Sequence, residues 1–258
     1  MEKTTDKIFL NLKYFNLIMF IIHISQAFLM IYLSNNFSLP VTSIHPEFNP
    51  VTSTISPVSE TIFELRIAPM VALFMFISAA AHLLIGTVLY KKYIKHLKKG
   101  MNPYRWYEYS ISASLMIVII AMLTTIFDIG TLIALFTLTM VMNLMGLVME
   151  IHNQTTKKTN WTSYYIGCIA GIVPWIVIFI TLLGGFSANA QNVPDFVIAI
   201  FVTIAIFFNC FAINMVLQYK KIGKWKNYLY GEKVYIILSL VAKSALAWQV
   251  YAGTLMPS

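Results

Sequence analysis

The chain has 258 residues, of which 59% are hydrophobic and only 11% charged. Soluble globular domains carry about twice that share of charge, so the composition excludes a water-soluble enzyme or a disordered segment and implies an integral membrane protein. The formal charge of +8 would suit nucleic acid by its sum, but its distribution follows membrane topology, and no nucleic-acid partner is expected.

The first apolar run covers about residues 14–34 and lacks a small-residue cleavage site, so it reads as a retained helix rather than a signal peptide. The stretch 35–65 mixes Ser, Thr, Val and Ile with Pro40, Pro46, Pro50 and Pro57. That mixture predicts a small extended or β hairpin in the first outer loop, over the mouth of a bundle, with a disordered loop as the alternative. Further apolar runs follow at about 66–90, 103–127, 130–150, 162–186, 196–218 and 231–253. Each can cross ~30 Å of hydrocarbon as a helix, and none alternates as a barrel strand must. The expected fold class is an all-α membrane protein, a seven-transmembrane-helix bundle forming one domain over 1–258. Cys168 and Cys210 both fall in apolar runs and suggest neither a disulfide framework nor a metal site.

Lys3, Lys7 and Lys13 lie at the start of the chain; Lys91, Lys92, Lys95, Lys98, Lys99 and Arg105 in the second connection; Lys157 and Lys158 in the fourth. Lys220, Lys221, Lys224, Lys226 and Lys233 belong to the sixth, so sixteen of the 18 basic residues share one side, leaving Arg66 and Lys243. The other side carries Glu47, Glu60, Asp128 and Asp195, with no Lys or Arg in 35–65, 127–130 or 187–195. Because Lys and Arg stay in the cytoplasm, the N-terminus is expected inside and the C-terminus extracellular, in a multi-pass cell-membrane protein. The basic inner face would contact anionic lipid, and it is a candidate docking surface for a cytoplasmic signalling partner.

Ionisable groups inside such segments cost several kcal/mol, so each is a functional candidate. The sequence offers His23, His82, Glu108 and Lys243. Lys243 lies about 12 residues from either end of its segment, too deep to snorkel. It could be a buried ion-pair partner of Glu108 in a retinal-free scaffold. A desolvated amine is also a good nucleophile toward an aldehyde and would form a Schiff base. Tyr109, Met145, Trp175, Phe207, Phe208, Phe211 and Trp248 supply flat and soft side chains able to enclose a polyene, or merely to pack. Helical side chains point toward their own N-terminus, so the Lys243 amine should lie about 6 Å nearer the inner face than its Cα, at the depth of Glu108, His23 and His82. A carboxylate at ~4 Å in an effective dielectric of ~20 would stabilise a cation there by about 4 kcal/mol. Ser239, one turn before Lys243, could hydrogen-bond the same centre. His23 with Gln26, and Ser78 with His82, could form a polar pocket beside it.

At these residues the chain resembles the heliorhodopsins, over essentially its whole length. The segment Ser239-Leu240-Val241-Ala242-Lys243-Ser244 resembles their retinal-binding helix, and the inward N-terminus matches their inverted topology. His23, Gln26, Ser78, His82, Asn102, Glu108, Tyr109, Ser112, Pro174-Trp175 and Trp248 complete the likeness. The resemblance implies all-trans retinal on Lys243, Glu108 as counterion, and Ser239 as hydrogen-bonding neighbour. It also implies a polar cavity with His23 and His82 near the chromophore, and a homodimer with a small sheet in the first outer loop.

A retinal pump stages carboxylates on both sides of its chromophore. Here Ser112 and Ile119 occupy the next positions on the Glu108 face, and Ser239 stands where pumps commonly carry a second carboxylate. A photosensory, signalling protein is therefore expected, with light-gated or light-driven proton transport as the alternative, since Glu150 lies near an inner exit. No phosphate loop, metal cluster or hydrolase triad is legible, so neither a metal nor an enzyme is expected.

Overall fold

A computed structural model of the chain describes residues 2–188 and 193–257, with side chains for 7–185 and 193–257. The side chain of Lys3 and most of the 187–195 connection fall outside them. Among the described residues, seven helices are long and apolar enough to cross a membrane. They are α1 (Glu2–Leu33), α2 (Ile67–Gly86), α4 (Pro103–Leu123), α5 (Ile129–His152), α6 (Thr162–Ala188), α7 (Asp195–Tyr219) and α8 (Tyr228–Val250). α1 packs on α2, α4 lies between α2 and α5, α5 on α6, and α7 on α8.

The second apolar run is shorter than its hydropathy suggests. α2 ends at Gly86 instead of running to residue 90, and a separate helix, α3 (Tyr90–Leu97), follows. α3 buries Tyr93 and Leu97 and leaves Lys91, Lys92 and Lys95 exposed, so it lies on the bundle's rim as an amphipathic turn. Helices approach closely where a side chain is missing. A Cβ on Gly146 of α5 would collide with the Trp106 ring of α4, and one on Gly171 of α6 with Met142 of α5.

The loop after α1 is a hairpin rather than disorder. Strands β1 (Ser38–Asn49) and β2 (Thr54–Arg66) pair antiparallel from Ser38↔Arg66 to Asn49↔Thr54, with an irregularity at Val41/Thr42. The prolines are tolerated because a two-stranded ribbon is all edge. Its tip is set by Asn49, whose side-chain oxygen accepts from Val51 N at 2.9 Å, and by Ser53 at φ 51°. Its base is tied to the bundle: Val41 is 1% exposed, and Thr42 N donates to Phe127 O at 2.9 Å. Asn35 N donates to Leu255 O, so the chain's end lies on this hairpin face, while the lysine-rich connections lie on the opposite face.

The interior is divided along the helix axes. On α4 the buried residues toward the lysine-bearing face are Arg105, Trp106, Tyr109, Ser110, Ser112 and Ser114. Toward the hairpin they are Met116 through Met122, an unbroken apolar run within the main core.

Candidate functional site

Lys243 sits about two-thirds of the way along α8, 3% exposed. Its side chain bends back one turn, as helical side chains do, so that Nζ donates to Ser239 Oγ at 2.9 Å and to Glu108 Oε1 at 2.6 Å. Glu108 also accepts from Ser78 Oγ at 2.7 Å. Three helices thus converge on one buried ion pair, with the Tyr109 ring face 5.1 Å from the amine. An unpaired ammonium at this depth would cost several kcal/mol; the carboxylate and the Ser239 hydroxyl meet it, while the Ser78 hydroxyl holds the carboxylate.

A cavity opens beside the amine, bounded by Lys243, Ser239, Tyr109, Ser112, Phe208 and Phe211, together with Met116, Met142 and Asn143. A second adjoins it, sharing Met142, Asn143, Phe208 and Phe211 and adding Trp175, whose ring meets Phe208 edge-on at 5.3 Å. Met145 lines neither, because its Cβ faces Gly167 on α6; Met142, one turn earlier, takes that place. Phe207 packs against the core and lines neither cavity.

On the other side of Glu108 lies a small polar cavity, bounded by His82, Asn16, Asn102, Arg105, Glu232 and Ser239. His82 Nδ1 is 2.8 Å from Asn16 Oδ1, and its ring stacks on His23 at 5.6 Å. The nearest polar partner of His23 Nδ1 is Met75 Sδ at 3.5 Å. Gln26 does not reach this cavity, since its side-chain oxygen accepts from Trp248 Nε1 at 3.0 Å. Asn102 lies at the far end, capping α4 and donating to Glu232 at 2.7 Å.

The far end holds a second charge cluster. Arg105, which the sequence places in the second connection, is 5% exposed, bonded to Glu232 and, at 2.5 Å, to Glu150. Its guanidinium lies 3.8 Å from the centre of the Tyr235 ring, and Asn102 N donates to Glu150 at 2.7 Å. Tyr93 and Tyr228 complete the carboxylates' partners, at 3.1 and 3.2 Å. All three charges fall inside or at the ends of the apolar runs, but a charge there is indistinguishable by position from a snorkelling one. Only Glu232, between Gly231 and Lys233, gave no cue at all.

Lys243 thus lies on the last of the seven membrane-length helices, paired to a carboxylate on the third and facing an aromatic chamber. The heliorhodopsin family profile matches residues 12–255. This chain belongs to the heliorhodopsin family. It is accordingly a membrane-embedded retinal protein that senses light. Its fold is similar to Exiguobacterium sibiricum rhodopsin, with a TM-score of 0.62 and 18% identity, covering 95% of this chain and 96% of that one. It is also similar to cyanorhodopsin from Tolypothrix (0.61, 14% identity, 96% and 94% covered). A light-driven proton pump from Leptosphaeria maculans gives 0.59 and 14%, with 95% of each chain covered. At these identities the likeness concerns the fold. Comparison with curated protein sequences finds no match. The residues present in this heliorhodopsin fit retinal: the chamber walls are aromatic and apolar, and the Lys243 amine facing them lies against a carboxylate.

Proposed function

We propose that Lys243 carries all-trans retinal as a protonated Schiff base and that the protein is a photosensor that does not pump ions efficiently. The observation that carries this reading is the Lys243–Glu108 contact of 2.6 Å at the wall of the aromatic chamber. Bound retinal supplies the absorption of light and the change of shape that follows it. Tyr109, Ser112, Phe208, Phe211 and Trp175 hold the polyene, with Met145 and Phe207 acting from behind the wall. Glu108 is the counterion, held in place by Ser78, while Ser239 hydrogen-bonds the nitrogen. His82 and His23 form the region that accepts a proton when the nitrogen releases one. Asn102 lines the polar cavity with Glu232, while Gln26 is held by Trp248 outside it.

Orientation with the N-terminus inside rests on the lysine distribution. Transport away from the lysine-bearing face is disfavoured because the hairpin half of α4 buries only Met, Ile, Val and Ala, with Ile117 and Ile119 fully buried. One observation favours the second reading, proton exchange with the inner face: the polar cavity runs from Glu108 to Glu232. A homodimer is supported by the hairpin, where Ile44, Phe48, Ile55 and Ile62 are all more than half exposed. A cytoplasmic partner would read the light state at the inner loops.

Adding all-trans retinal to the purified protein should produce a visible band that Lys243→Ala abolishes. No band, or a band unchanged in that variant, refutes the reading. Voltage-clamped photocurrent separates the second reading: a sustained current that reverses with the proton gradient would displace the sensor.

A further inference from the structure

A cleft opens on the lysine-bearing face where its three connections meet. Lys99 comes from the turn before α4, Lys157 from the α5–α6 loop, and Lys221 and Lys226 from the α7–α8 loop. No Asp or Glu lines it, and among the described residues none of the four lysines makes an ion pair. Gathering four ammonium groups around one concavity is unfavourable unless an anion joins them.

The walls are pinned in place. Asn153 Oδ1 accepts from Asn160 N at 2.7 Å and from Thr156 Oγ1 at 2.9 Å, closing the loop that presents Lys157. Trp225 Nε1 donates to buried Asn214 at 2.6 Å and Gln218 Nε2 to Tyr228 O at 3.0 Å, fixing the loop that presents Lys221 and Lys226. Tyr228 both lines the cleft and donates to Glu150, hence to Arg105 and the polar cavity that reaches Glu108.

We propose that this cleft binds a multiply charged phosphate group, presented either by a lipid headgroup or by a soluble phosphate compound, and that Tyr228 couples its occupancy to the Lys243–Glu108 site. The coupling rests on the retinal reading above; the binding does not. Lysine suits the role because its ammonium acts as a point charge on phosphate oxygens.

The test uses the full chain in nanodiscs of phosphatidylcholine, titrated with inorganic pyrophosphate by calorimetry before any retinal is added. The Lys157→Gln/Lys221→Gln pair should weaken binding about 25-fold, whereas Lys91→Gln/Lys92→Gln, the same charge removed from α3, should change it by less than about twofold. No binding, or equal weakening by both pairs, overturns the site. Replacing part of the lipid by phosphatidic acid then identifies the source. Lost pyrophosphate affinity assigns a headgroup and unchanged affinity a soluble compound, both supporting the site. In the retinal-loaded protein, pyrophosphate should alter recovery after a flash, and Tyr228→Phe should remove that effect while retaining the binding. Binding with recovery unaltered overturns the coupling, while failure to form a visible band counts against the retinal reading alone.

Discussion

Replacing Arg105 by methionine tests whether the buried cluster at the lysine-bearing end is a structural clamp. Arg105 bonds Glu150 at 2.5 Å and Glu232 from its other nitrogen, and the three side chains are 4%, 1% and 1% exposed. Methionine fills much of the volume but leaves two carboxylates facing each other without a cation. Removing one member of such a buried set costs about 3–5 kcal/mol, because the remaining charge is uncompensated. For a chain of this size that corresponds to roughly 6–20 °C in unfolding midpoint. Thermal denaturation of the solubilised protein, followed by tryptophan fluorescence, measures it. The triple variant Arg105→Met/Glu150→Gln/Glu232→Gln should recover most of the loss, since no bare charge is left. A single variant within about 1 kcal/mol of the parent, or a triple as unstable as the single, would refute the clamp; surface ion pairs are worth no more than that.

Glu108→Gln removes a charge 2.6 Å from the Lys243 amine. The gross attraction there is about 6 kcal/mol at an effective dielectric of ~20. The visible band of the retinal-loaded variant, and the pH at which it is lost, should both move; an unaltered titration would exclude Glu108 as counterion. Gly146→Ala should destabilise by about 1–3 kcal/mol, because its Cβ meets the rigid Trp106 ring. Gly184→Ala, where a Cβ meets nothing within 4 Å, should be neutral or slightly stabilising in the same denaturation assay. Asp128 caps α5, accepting from Thr131 N at 2.7 Å and from its hydroxyl at 2.8 Å, and these bonds hold its carboxyl below the usual carboxylate range. The cap is thus fully present above the unfolded value of about 4 and is lost as pH falls through the lower folded value. Asp128→Ala should cost about 1 kcal/mol at neutral pH, and the gap between parent and variant should close in acid. A gap independent of pH would mean that the carboxylate is not what caps the helix.

Seven runs of apolar residues were legible as seven helices because hydrocarbon thickness sets a minimum length that composition alone satisfies. The buried Lys243, and its pairing with Glu108 and Ser239, was legible too, since a charge far from either helix end has no interface to reach and side-chain direction sets its depth. The hairpin followed from its β-branched residues and prolines. Tertiary structure alone decided the rest. α2 stops at Gly86 because Thr87 leaves helical backbone at φ −127°, ψ −94° and the chain turns into α3 on the rim, which hydropathy does not record. Which methionine faces the chamber turns on one helical turn and on the missing side chain of Gly167. Arg105, Glu150 and Glu232 lie in three different helices, up to 127 residues apart. Charges near helix ends are ordinarily solvated, and only the approach of α4, α5 and α8 turns these three into a buried cluster.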